Sequence, residues 1–339
     1  MPAFFATAIC SHTGCRNGPE GGLVIRVRSS TGRGGKSRGR LLRPWRWRGL
    51  AVLLLLTGFF AAGSPLASPS VSGLRCVVLE SEDIDATTWR SIGALGANLL
   101  ARFAPPGPEA DRAAGEAGLS YLAFLTTDGV DNLESDPARV AEIRAEKNLA
   151  GFYYWDAGVL EGFTAPDAQR RAYTMLKSLF PEKIVLYPTR LDPILWSPGF
   201  LDAYFRPEFT DWVTPYFYPV GATILGEARE SDNWQGRLAA LLGELAARVP
   251  EGKNVLPVLQ GYEQQGYPVS SRFPAEQFEV YRRFWPQVHD AAIEAWEFGP
   301  GPLVALASRP ALQQGVCSLF ARLSVSPGQC RWRPVVLWR

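Results

Sequence analysis

The stretch Cys76-Val-Val-Leu-Glu-Ser-Glu-Asp-Ile-Asp85 decides the architecture. Its first four residues are apolar, as suits a parallel strand buried on both faces. The turn after them is acidic and holds no glycine. A doubly wound nucleotide-binding sheet needs glycine there, so that the backbone can approach a pyrophosphate. Carboxylates in that place argue against a nucleotide cofactor and leave a closed ring of strands as the reading.

Outward from this stretch, apolar runs alternate with longer amphipathic ones. The further strand candidates are 97–103, 119–125, 150–155, 184–187, 212–218, 255–259 and 292–296, which with 76–79 makes eight. Between them the period becomes helical. Leu238, Leu241, Leu242, Leu245, Ala246 and Val249 form one apolar stripe, and Ala168, Ala172, Met175, Leu176 and Leu179 form another. Thr164-Ala-Pro-Asp167 and Phe273-Pro-Ala-Glu276 read as helix starts, with proline and an acid in the first turn. Strict strand–helix alternation implies crossovers and a parallel sheet. Eight units within about 250 residues fit a (β/α)8 barrel, a single domain over 74–323 with a tail at 324–339. Pro215 and Pro257 each remove a ladder donor and require irregular strands.

The first 48 residues carry ten of the 35 basic residues and one of the 33 acids, so the remainder is net acidic. A nucleic-acid surface needs the opposite. Residues 1–48 are aperiodic and read as disordered, or as a start placed too far upstream. Residues 49–67 hold an apolar core after Arg43, Arg46 and Arg48, then a small-residue exit, which reads as a signal peptide and predicts a secreted or periplasmic protein. Retention of that segment as a membrane anchor is the competing reading. Past it stand Cys76, Cys317 and Cys330, an odd count. Export allows one disulfide among them, with Cys76 bonded to either later cysteine tying the ends of the domain; three unpaired thiols is the alternative.

In a barrel, chemistry gathers at the carboxyl ends of the strands. The residues due there include Arg102, Asp128, Tyr154, Asp156, Tyr187, Tyr216, Tyr218, Gln260, Glu263, Trp296 and Glu297. The chain has two histidines, His12 and His289, and neither falls at a strand end. Lys147, Lys183 and Lys253 precede strands, on the opposite face. Histidine-based, metal-dependent and Schiff-base chemistry thus lack their residues, and neither a cofactor nor a metal is expected. Carboxylates and aromatic rings remain. That pairing suits carbohydrate: two carboxylates cleave a glycosidic bond, while rings stack on the apolar face of a sugar.

Three motifs carry a resemblance. Gly151-Phe-Tyr-Tyr-Trp-Asp156 is similar to the Gly-Tyr-Tyr-x-Trp-Asp-Glu-Pro stretch of glycoside hydrolase-type barrels, and 211–219 and Ala295-Trp-Glu-Phe-Gly299 resemble their sixth and eighth strands. The resemblance implies catalytic roles for Asp156 and Glu263, at the ends of strands four and seven, with Glu297 competing for the second. From their place at the strand carboxyl ends, and apart from the resemblance, Arg102, Asp128, Tyr154, Tyr187, Tyr216, Tyr218, Gln260 and Trp296 are the candidate sugar-binding residues. Chitinase-like members combine an acid on strand four with a tyrosine on strand six and a tryptophan on strand eight, matched here by Asp156, Tyr216 or Tyr218, and Trp296. Asp156 is followed by Ala157-Gly158 where the family carries Glu-Pro. The expectation is therefore a glycoside hydrolase-like protein using carboxylate acid/base catalysis, or an inactive carbohydrate-binding barrel of the cell envelope.

Overall fold

The computed structural model describes residues 73–79, 85–154, 165–195, 197, 199–222, 228–229, 233–264, 267–296, 303–324 and 330. The candidate signal segment, the acidic turn after Leu79, Asp156 and Glu297 lie outside the described residues.

Eight parallel strands close into a ring. They are β1 (Arg75–Leu79), β2 (Leu99–Arg102), β3 (Ser120–Leu125), β4 (Leu149–Tyr154), β5 (Ile184–Arg190), β6 (Trp212–Tyr216), β7 in two pieces (Asn254–Val255 and Val258–Gln260) and β8 (Ala291–Glu294). Each pairs with the next, and β8 returns to β1 through Arg75↔Ala291, Cys76↔Ala292 and Val77↔Ile293. Pro257 divides β7, and the ladder survives because the Pro257 carbonyl accepts from the Ala292 N–H at 2.8 Å. Pro215 sits inside β6 in register with Thr189.

The alternation of side chains sorts every strand into two layers. Inside the ring, Cys76, Val78, Leu99, Ala101, Leu122, Ile184, Leu186, Trp212, Leu256, Val258 and Ala292 form one apolar cluster. Outside it, Val77, Leu100, Phe152, Val185, Val213, Leu259 and Ile293 pack with the helices. The helices include α1 (Ala86–Ala94), α2 (Pro108–Ala117), α3 (Thr127–Glu134), α4 (Pro137–Ala145), α5 (Pro166–Leu179), α6 (Phe200–Tyr204), α7 (Trp234–Ala246), α8 (Phe273–Arg282) and α9 (Pro310–Leu323). The stripe on α7 buries Leu238, Leu241, Leu242 and Leu245. On α5 the buried residues are Gln169, Ala172 and Leu176, so a glutamine shares the inner face with the alanine and leucine.

One expectation needs correction. Cys317 and Cys330 form the disulfide, while Cys76 is a free thiol within the ring. β1 holds Cys76 in the inner layer, whereas Cys317 lies on α9 outside the wall. The bond therefore ties Cys330 to α9 and leaves β1 unlinked.

Candidate functional site

The amino ends of the strands are occupied by structural bonds. The Lys183 ammonium donates to the Leu149 carbonyl at 2.6 Å, and Lys253 donates to the carbonyl of Thr210. His289, just before β8, is exposed. At the carboxyl ends the inward positions form a mouth with two unlike halves.

One half is aromatic. Phe103 follows β2, Phe124 lies on β3 and Tyr153 on β4. Phe103 stacks on Phe124 with ring centroids 5.2 Å apart and meets the Tyr153 ring edge-on at 5.6 Å. Phe103 and Tyr153 pack against the inner apolar cluster, so these rings cap the barrel interior.

The other half is polar. Arg190 ends β5, and its guanidinium grips both carboxylate oxygens of Asp192 at 2.6 Å. Burial alone would lower the Arg190 pKa, but the bonds and charge of Asp192 outweigh it and the net shift is upward. Tyr216 ends β6, its ring 5.4 Å from that of Tyr218, which in turn meets Tyr262 at 5.3 Å. Glu294 ends β8 and is 8% exposed. The Tyr218 phenol lies close to the Glu294 side chain. Burial first, then the Glu294 charge, pushes the Tyr218 phenol well above its ordinary value, and burial does the same for Tyr216. Both phenols therefore keep their protons at neutral pH.

The backbone around Glu294 is fixed from two sides. The Gly261 N–H donates to the Glu294 carbonyl, and the Trp296 N–H to the Val78 carbonyl at 2.9 Å. The Glu294–Ala295 peptide is cis. Gln260, in register with Glu294, uses its amide to bond both the N–H and the carbonyl of Val220, at 3.2 and 2.7 Å. The loop carrying Tyr218 is thus clamped to the end of β7.

The residues singled out from sequence divide accordingly. Tyr216, Tyr218, Gln260 and Tyr262 gather beside Glu294. Tyr154 and Tyr187 lie on the outer face with their rings 5.3 Å apart, and the Tyr154 hydroxyl donates to the carbonyl of Phe209 at 3.0 Å. Arg102 follows Ala101, an inner residue, so alternation turns it toward the helices. Trp296 is buried in the outer core. Asp128 is exposed in the first turn of α3. Glu263 is buried; its carboxylate is held by Arg309 at 2.6 Å and accepts from the Val269 N–H at 3.4 Å. Sequence reading missed Glu294, Phe103, Phe124 and Tyr153. The signal was the two-residue step from Ala292 to Glu294, legible only once the last strand is ended at Glu294.

No protein-family model and no curated protein sequence matches the chain. Among solved structures, a β-D-glucuronidase of Dictyoglomus thermophilum superposes with a TM-score of 0.50 at 11% identity, over 74% of this chain and 50% of that one. The fold is one that glycoside hydrolases use. A β-galacturonidase from Eisenbergiella tayi is similar at TM-score 0.46 and 13% identity, over 75% of this chain and 51% of that one. The chain thus spans about half the length of these glycoside hydrolases.

Proposed function

We propose that this is an exported, glycoside hydrolase-like barrel that takes an oligo- or polysaccharide across its mouth. The observation that carries the reading is the division of the mouth into an aromatic wall (Phe103, Phe124, Tyr153) and an opposing polar wall (Tyr216, Tyr218, Glu294). A pyranose has the same two characters, with apolar C–H faces and hydroxyls around its edge. Rings accept the former, and phenols and a carboxylate accept the latter. Hydrolysis would proceed by carboxylate catalysis, with Asp156 the candidate acid after β4.

The second reading is a binding protein without turnover. It is favoured by the bonds of Glu263, whose carboxylate is already held by Arg309. Turnover measured over a polysaccharide panel separates the two, with Asp156→Asn and Glu263→Gln compared with wild type. Hydrolysis lost in Asp156→Asn supports the enzyme. Binding without hydrolysis in wild type supports the binding protein. Tyr153→Ala and Phe103→Ala should each weaken sugar binding by about tenfold, on the order of 1 kcal/mol per aromatic contact. Unchanged affinity in both variants would remove the aromatic wall from the argument.

A further inference from the structure

Resting on the carbohydrate reading above, we infer that Glu294 is a catalytic residue. Its carboxylate faces the anomeric carbon and stabilises the positive charge that grows there as the glycosidic bond breaks, and Tyr218 is its positioning residue.

The strand itself aims the side chain. Ala292 belongs to the inner cluster, so Glu294, two residues on, points the same way and emerges at the carboxyl end of the ring. Its neighbours agree, because its charge acts on Cys76 in the inner layer as well as on Tyr216 and Tyr218 at the mouth. Tyr218, which keeps its proton, stands near the carboxylate with a hydrogen to donate. In a site largely shut off from water, a fixed negative charge acts on a developing cation far more strongly than it would in solution.

Rigidity is the third part. The Gly261 N–H holds the Glu294 carbonyl, and the Gln260 clamp on Val220 fixes the loop that brings Tyr218 to the carboxylate. A charge that need not reorganise as the reaction proceeds is the more effective one. Glu294 also differs in kind from two carboxylates that follow other strands of the ring, Asp192 after β5 and Glu263 after β7. The charge of Asp192 is answered by Arg190 and that of Glu263 by Arg309, while Glu294 meets a neutral phenol.

The test needs no turnover. Isothermal titration would compare the cationic iminosugar 1-deoxynojirimycin with the neutral 1,5-anhydroglucitol, and then their galacto- and manno-configured counterparts. Wild type is expected to prefer the cation of the accepted configuration by at least about tenfold, as a close charge pair in a shielded site does. Glu294→Gln, of nearly the same shape, should bring the two affinities together while keeping that for the neutral sugar. Tyr218→Phe, which keeps the ring, should lose part of the preference. Tyr218→Phe also carries the test should Glu294→Gln fail to fold. An undiminished preference in Glu294→Gln overturns the assignment and leaves the carbohydrate reading standing, as does a wild type that binds both probes equally. A wild type that binds none of the pairs removes the carbohydrate reading, and this inference with it.

Discussion

Gly261 shows how a single residue sets the position of the candidate carboxylate. A Cβ added there would lie 2.3 Å from Ile293 Cγ2 and 2.8 Å from the Glu294 carbonyl oxygen. The chain leaving β7 presses against the end of β8 only because that atom is missing. Gly261→Ala should therefore cost about 1–3 kcal/mol, the usual range for overpacking, and push the end of β8 outward. A urea denaturation midpoint equal to that of wild type would show that the contact gives way freely. Glu146 offers a second case at this scale. Burial raises its carboxyl above the ordinary 4.5, while the hydrogen bond from Tyr121 and the charges of Arg139 and Lys183 pull it back in part. The folded state then holds this proton more tightly than the unfolded chain, so the group's contribution falls as pH rises from 4.5 through the raised folded-state value. Glu146→Gln keeps an acceptor for Tyr121 and removes the titration. The variant should be more stable than wild type at pH 7, with the gain fading on acidification and gone well below pH 4.5. Thermal unfolding across that range checks the sign, and a variant stabilised only in acid would reverse it.

Single elements were legible from sequence where burial is uniform. The runs at 76–79, 119–125 and 184–187 fall within a residue or so of strand starts, because apolar side chains on both faces leave little ambiguity. Strand ends were harder to read. β6 stops at Tyr216 and β8 at Glu294, each two residues before its apolar run gives out, because the remaining aromatics pack against loops and the outer core. That shortfall hid Glu294, since a strand carried on to Trp296 draws attention to Glu297 instead. The seventh strand was visible, and Pro257 marked it as irregular at the residue where it divides. The Gln260 clamp joins two such elements, and its removal has a local readout. Gln260→Ala leaves the Val220 N–H and carbonyl without those partners, at a cost of about 1–3 kcal/mol for unpaired buried groups. Hydrogen exchange at the Val220 amide should quicken well beyond that of amides in β3 and β4. Equal acceleration everywhere would mean that Gln260 supports the whole ring rather than one loop.

At the scale of the molecule, ring closure was inferred from the count of eight units, yet the bonds that close it join residues that no local pattern connects. The Ala291 N–H reaches the Leu74 carbonyl at 2.9 Å, and the Asp290 carboxylate accepts from the Leu74 N–H across a separation of 216 residues. The outer ring closes in the same way. Phe320 on α9 is fully buried, with its Cβ 3.6 Å from the place a Cβ would take on Gly96, in the turn between α1 and β2. The last helix thus packs on the first strand–helix unit, and neither end of the sheet is left as an open edge. If closure makes the barrel one cooperative unit, damage at this seam must weaken all of it. Phe320→Ala should cost about 3–5 kcal/mol, the range for emptying a buried aromatic site, and lower the midpoint of one transition seen alike by tryptophan fluorescence and far-ultraviolet circular dichroism. Were the two halves to fold separately, the signals would part, with β3 to β5 persisting after the seam had opened. Coincident curves in the variant would place the cooperativity in the closed ring, which also brings Phe103, Tyr153, Tyr218 and Glu294 to one mouth.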